Sequence, residues 1–330
     1  MVTEINRNVA ATLRACGPAI LTQDKMVEQS VTVLTTIITR SHPCQQDLGD
    51  EDEQDVEGGS SEYDWVVVDT ALDVIIGMAA AMGSQFGELW KIFEKPVMKF
   101  ASSQENLERS TAVGVLAECS AHMGASVSPY TSALLKLLLK RLTDPDPETK
   151  SNAAYATGQL IYNSTDSNTY LPSYTDILSK LEPMLSIDHA RIKDNATGCV
   201  CRMIISHPDR VPIADVLPVL VGLLPLKEDF EENKPVYECL YKLCKSNVQC
   251  QSPSDHTRLT HVPADEANES TVQSLTPKLI GVFEKILSPP EEQLQDETRQ
   301  LVQRIIQSLF KAKPDLFQGH EEVLKLAGAA

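Results

Sequence analysis

Carboxylates are the most concentrated chemical groups in this sequence. Asp47, Asp50, Glu51, Asp52, Glu53, Asp55, Glu57, Glu62 and Asp64 crowd the stretch that leads into Trp65, and no Lys or Arg occurs between Arg40 and Lys91. Residues 41–90 hold 12 acids, so this one window supplies −12 of the formal charge of −17. Such a run attracts cations over a screening length of about 8 Å at physiological salt. Two readings fit it: a solvated tract that keeps the chain dispersed, or a polyanionic arm that captures basic peptides. A second acidic group, Glu228, Asp229, Glu231 and Glu232, follows the Leu224-Pro225-Leu226 turn and opens a helix, where the helix dipole also favours acids.

Composition narrows the partners. With 46 acids against 29 bases over 330 residues, direct nucleic-acid binding is not expected, because counter-ion release from phosphates needs clustered Lys and Arg. Basic proteins are the natural partners of the opposite charge. Hydrophobic residues make up 42% and aromatics only 5%, a balance suited to helices packed through Leu, Val, Ile and Ala. The most apolar stretch, Trp65 to Met82, is interrupted by Asp69 and Asp73 and no apolar leader opens the chain, so neither a membrane span nor secretion is expected. Eight cysteines, among them Cys119, Cys199 and Cys239 in apolar helical patterns, read as small buried hydrophobes of a reducing compartment.

Other chemistry finds little support. Cys244, Cys250, His256 and His261 could be imagined as zinc ligands, but five residues separate the two cysteines where two to four are usual. Phosphate loop, dinucleotide fingerprint, nucleophile elbow and His-Glu-x-x-His are all missing. Neither an enzyme nor a bound cofactor or metal is expected.

The elements that position these groups repeat. Arg109-Ser-Thr-Ala, Lys150-Ser-Asn-Ala and Lys193-Asp-Asn-Ala lie 41 and 43 residues apart, and the register extends to Asp69 and Lys234. An amphipathic helix precedes each anchored one: Phe86 to Ala101, Pro129 to Thr143, Tyr170 to Ser186, Pro212 to Leu224. In Asp144-Pro-Asp-Pro-Glu, Asp144 is expected to cap the next helix and a proline to open it. Helical hairpins at this period are the HEAT and armadillo class, stable only when stacked. The sequence therefore predicts an all-α HEAT-repeat superhelix of about six hairpins, a single array over 1–330. An acidic loop at 44–64 and a second insertion at 246–270 interrupt it, a last hairpin covers Leu275 to Leu287 and Leu294 to Phe310, and a capping helix lies within 312–330.

A helical wheel places Ala112, Val113 and Leu116 in the core and Thr111 with Glu118 on the opposite face. The corresponding pairs are Asn152 with Gln159 and Asn195, beside Asp194, with Arg202. If these second helices line the hollow face, the pairs form a polar ladder able to satisfy an extended peptide backbone, or they merely occupy exposed helix positions. Lys150 and Lys193, with Asp144 and Asp188, are expected to join neighbouring repeats.

Trp65 after an acidic loop, Lys150-Ser-Asn-Ala-Ala-Tyr-Ala-Thr-Gly, Arg191-Ile-Lys-Asp-Asn-Ala and Leu224-Pro-Leu-Lys-Glu-Asp-Phe-Glu-Glu together resemble the C-terminal region of an importin-beta-family karyopherin, of the importin-four type. The resemblance covers nearly the whole chain, which would then correspond to about the last third of such a receptor. It implies a nuclear import receptor for basic cargo, notably histones H3 and H4 and ribosomal proteins, moving between cytoplasm and nucleus, with nucleoporins as further partners. It also implies that the Ran GTPase is held largely by repeats N-terminal to those present. The insertion at 246–270 is longer than the family pattern. The expected cargo contacts are Asp50, Glu51, Asp52, Glu53, Asp55, Glu57, Glu118, Asn152, Gln159, Asp194, Asn195, Glu228, Asp229, Glu231 and Glu232. A HEAT scaffold subunit that uses apolar ridges, with Ala71, Ile75 and Met78 as the exposed example, is the alternative.

Overall fold

The computed structural model describes residues 1–22, 25–45, 62–246, 266–288 and 294–329. Helix follows helix: α1 (Val2–Cys16), α2 (Met26–Ile38), α3 (Glu62–Met82), α4 (Phe86–Phe100), α5 (Asn106–Met123), α6 (Thr131–Arg141) and α7 (Pro147–Asn163), then a single turn α8 (Ser167–Tyr170). α9 (Tyr174–Ser186), α10 (Ala190–Ser206), α11 (Ile213–Leu223), α12 (Asn233–Ser246), α13 (Glu266–Leu287), α14 (Asp296–Ala312) and α15 (Glu321–Leu326) complete the order. The fold is an all-α HEAT-repeat solenoid. It divides into two compact units, Met1–Tyr170 and Leu171–Ala330.

In the first unit, α3, α5 and α7 stack on one another and α1 stacks on α3, while α2, α4 and α6 flank them. Small residues allow close approach: a Cβ on Gly77 of α3 would lie 3.2 Å from the Ala10 carbonyl oxygen and from the Leu13 side chain of α1. Asn6 Nδ2 donates to Thr70 Oγ1 across the same contact at 3.1 Å. Gly83 (φ +56°) follows α3 in the left-handed region that lets a helix end without a Cβ clash. The few aromatics concentrate where two layers meet. Phe86 stacks on Phe93 at 6.1 Å and Trp65 meets Phe100 edge-on at 5.7 Å, and Trp90, Phe86 and Phe93 are wholly buried. Fully burying one such side chain stabilises by about 1.5–3 kcal/mol.

The second unit repeats the scheme, with α10, α12 and α14 in one stack and α11 against α13. Tyr237 of α12 packs on Phe283 of α13 at 6.3 Å. α4, α9, α11 and α13, all first helices of their hairpins, contain internal prolines at 96, 183, 218 and 277, each removing one backbone hydrogen bond.

Several expectations need adjusting. Asp146, not Asp144, caps α7: its Oδ2 accepts from the Thr149 N–H at 2.8 Å with Pro147 as the first helical residue. α13 begins at Glu266, so its first turns take residues assigned from sequence to the 246–270 insertion; residues 247–265 lie outside the described structure. Ala71, Ile75 and Met78 are fully buried between helices rather than forming an exposed ridge. The stretch Asp64–Phe100 is long and apolar enough to cross a membrane by length and composition, yet it folds as α3, a turn at 83–85 and α4, with 61% of its most apolar window buried. Cys119, Cys199 and Cys239 are free and buried. Burial pushes the Cys119 and Cys199 thiols well up, and that of Cys244 up to about 12, which keeps them protonated and unreactive.

Candidate functional site

Many of the acidic residues singled out in the sequence lie at the junctions between repeats, where the start of one anchored helix faces the turn of the next hairpin. In the first unit this junction is closed by charge. Arg109, in the first turns of α5, donates from Nε and Nη2 to the two oxygens of Asp144 at 2.9 Å each. Arg141 adds a third bond at 2.7 Å, and the remaining Arg109 donors reach the Ser103 and Gln104 carbonyls and Asn106 Oδ1. Burial pushes the Asp144 carboxyl up, but the bonds from Arg109 and Arg141 outweigh it and hold it below the usual carboxylate range. Thus Asp144 does join repeats, with Arg109 rather than Lys150 as its partner.

The feet of the acidic tract are tied in the same manner. Arg40, at the end of α2, bonds Asp64 at 2.7 Å and Glu108 at 2.6 Å and lies 5.3 Å from the Phe100 ring. Gln45 Nε2 donates to Asp64 Oδ1 at 2.7 Å. Asp50, Glu51, Asp52, Glu53, Asp55 and Glu57 lie outside the described residues.

On the exposed side of α5 and α7, Glu118, Asn152 and Gln159 are all half-buried. Glu118 lies 3.8 Å from His122. Asn152 Nδ2 donates to the Ser110 carbonyl of the preceding repeat at 2.9 Å, and Gln159 Oε1 accepts from Asn163 at 3.2 Å. The Asn152 amide nitrogen therefore serves first as a bridge between α7 and α5.

In the second unit the connector between α11 and α12 lies across α10. Asp194 Oδ2 accepts the backbone N–H groups of Lys227, Glu228 and Asp229 at 3.0, 2.7 and 2.9 Å. Asn195 Nδ2 donates to Asp229 Oδ2 at 3.2 Å, and the Arg191 N–H donates to Glu228 Oε2 at 3.1 Å. Two turns further along α10, Arg202 grips Glu232 through two bonds of 2.6 and 2.8 Å. Only a glycine fits between them, since a Cβ on Gly198 would sit 1.4 Å from Glu232 Oε2. Burial pushes the Glu232 carboxyl above its ordinary value despite Arg202 beside it.

This corrects the outward orientation expected for part of the ladder. Asp194, Asn195, Arg202 and Glu232 are 3%, 1%, 5% and 0% exposed. The wheel treats α10 as a lone helix, whereas the connector covers the face it assigns to solvent. Glu228 and Glu231 remain exposed, Asp229 is half-buried, and Phe230 between them is 40% exposed. Sequence reasoning had Arg109 only as a repeat anchor and Arg202 only as a ladder position, without their pairing to Asp144 and Glu232, and gave Arg191 and Phe230 no role. The available signal was an Arg near the start of an anchored helix with an acid six residues before the next anchor, as in Arg109 and Asp144.

A stack of helical hairpins whose repeats are stapled through buried Arg–carboxylate pairs is a HEAT-repeat array in its architecture. Its relatives are specific. The family model described as "IPO5-like, TPR repeats" matches residues 67–211. The chain is 30% identical over 302 residues to the probable importin subunit beta-4 of Schizosaccharomyces pombe, covering 89% of this chain and 26% of that protein. It is 32% identical over 237 residues to importin-4 of Homo sapiens, covering 70% and 21%. A crystal structure of a Kap121p mutant shares the fold, with a TM-score of 0.50 at 10% identity over 97% of this chain and 38% of that one. The chain belongs to the importin-beta family of karyopherins and is of the importin-4 type. It spans about a quarter of the length of the curated relatives it matches, and its family and fold are those of transport receptors.

Proposed function

We propose that this chain is the cargo-binding C-terminal part of a nuclear import receptor that holds Lys-rich and Arg-rich segments of basic proteins, histones H3 and H4 and ribosomal proteins among them. The observation that supports this most is the connector at 226–232, which keeps Glu228 and Glu231 exposed while Asp194, Asn195 and the Arg191 N–H of α10 fasten it in place. Asp229 and the half-buried Glu118, Asn152 and Gln159 offer further contacts, and the tract at Asp50, Glu51, Asp52, Glu53, Asp55 and Glu57 adds long-range attraction. Asp194, Asn195 and Glu232 serve as supports, being buried. The chain binds without catalysis or a cofactor. It shuttles between cytoplasm and nucleus as part of a longer receptor whose other repeats grip Ran and which meets nucleoporins at the pore.

Titration with a histone-tail peptide at low and at raised salt, unmodified and lysine-acetylated, tests the reading. Binding should weaken with both treatments, because each removes attraction between opposite charges, and should weaken again when residues 47–64 are deleted. Binding indifferent to salt, acetylation and this deletion would falsify it. Recovery instead of a stoichiometric partner that stays bound at high salt would favour the scaffold alternative.

A further inference from the structure

The contacts of α10 with the connector raise a separate question: what a buried carboxylate does beneath a surface already rich in acids. Asp194 is 3% exposed and lies under Glu228 and Asp229, where a second negative charge is unwelcome on electrostatic grounds. It is retained by three convergent N–H donors, from consecutive residues 227, 228 and 229, on a single oxygen. Three such bonds to one charged acceptor are strong and directional. Their donors all belong to the connector, so they set the path of this segment. Asn195 to Asp229 and the Arg191 N–H to Glu228 fasten the side chains of the same segment, and Arg202 with Glu232 anchors its far end.

We propose that Asp194 is a positioning residue for cargo recognition. By gathering these three N–H groups it holds the connector in one conformation, so that Glu228, Phe230 and Glu231 meet a basic segment already arranged. The inference rests on the reading of the connector as a cargo contact. A loop that must be ordered during binding loses affinity to that ordering, whereas a fixed one does not. The Asp194 carboxylate is taken up by backbone donors and is not itself presented to the partner.

The test uses the 330-residue chain and a Lys- and Arg-rich peptide at several salt concentrations, with three variants. Asp194→Ala should lower affinity about tenfold, leaving three donors without their acceptor, while the dependence on salt stays near that of the unaltered chain because Glu228 and Glu231 are intact. Asp194→Asn retains one acceptor oxygen and should bind closer to the unaltered chain; it also serves where the alanine variant folds poorly. Amide exchange at 227–229 should quicken in both, with little change along the middle of α10. Glu228→Gln with Glu231→Gln should instead lower affinity and flatten the salt dependence together. Unaltered binding by that double variant would remove the connector from the cargo surface altogether. Weakened binding there, with unaltered binding by Asp194→Ala or with equal losses in Asp194→Ala and Asp194→Asn, would overturn only the positioning role.

Discussion

The junction of α5 with the turn at 143–146 and the junction of α10 with the connector at 226–232 occupy the same place in the repeat, yet their polarity is reversed. In the first, the helix supplies the cation, Arg109, and the turn supplies the anion, Asp144. In the second, the helix supplies the anion, Asp194, and the turn supplies backbone donors. Asp144 stands six residues before Lys150, and Glu228 stands six residues before Lys234. The former is buried in a pair with arginine, and the latter is exposed. The same slot is therefore closed by an arginine pair where Arg109 meets Asp144, and leaves Glu228 exposed where Asp194 takes the backbone N–H groups of the turn instead.

The largest effect that would sharpen this contrast comes from Gly198→Ala. The new Cβ takes the place of Glu232 Oε2, driving Glu232 out and breaking the buried Arg202–Glu232 pair, at a cost of about 3–5 kcal/mol. Urea unfolding followed by circular dichroism, with amide exchange along α10 and α12, measures it. Arg202→Met combined with Glu232→Leu should restore most of that stability, since a buried pair exchanged for apolar groups is often neutral.

Asp144→Ala should come next, at about 3 kcal/mol, because it removes the buried carboxylate that Arg109 and Arg141 share. Trp65 and Trp90 both belong to the first unit, so the fluorescence-detected urea midpoint reads this loss directly. An unchanged midpoint would mean that the arginine staple does not hold the α5–α7 junction.

The smallest effect is pH dependence, with opposite signs at the two junctions. Asp144 titrates below its ordinary 3.8, so its contribution is present above that value and lost as pH falls through the lower folded value. Glu232 titrates above its ordinary 4.5, so its contribution is complete below 4.5 and lost as pH rises through the higher folded value. The stability difference between the unaltered chain and Asp144→Asn should accordingly hold steady from neutral pH down to about 4 and shrink below 3.8. The difference from Glu232→Gln should grow as pH falls toward 4.5.

The helices and their forty-residue phase were legible because apolar periodicity is a local property: Ala112, Val113 and Leu116 point inward as a wheel requires. The helix expected within 312–330 is α15, Glu321–Leu326. The junctions were not legible. Whether Asn195 faces water depends on a connector more than thirty residues away that folds over it, and a wheel has no knowledge of that cover. The cap of α7 shows the same limit at short range. Asp144 and Asp146 look equivalent beside prolines, and only the arginine from α5 decides which one is drawn inward.

The central claim is that surface carboxylates attract the basic partner while the buried ones shape the surface that carries them. Its most direct test is the slope of affinity against salt for one basic peptide, measured on the Arg202→Met, Glu232→Leu variant and on the Glu228→Gln, Glu231→Gln variant. The account predicts an unchanged slope for the first and a flatter one for the second. A slope flattened equally by removal of the buried pair would contradict it.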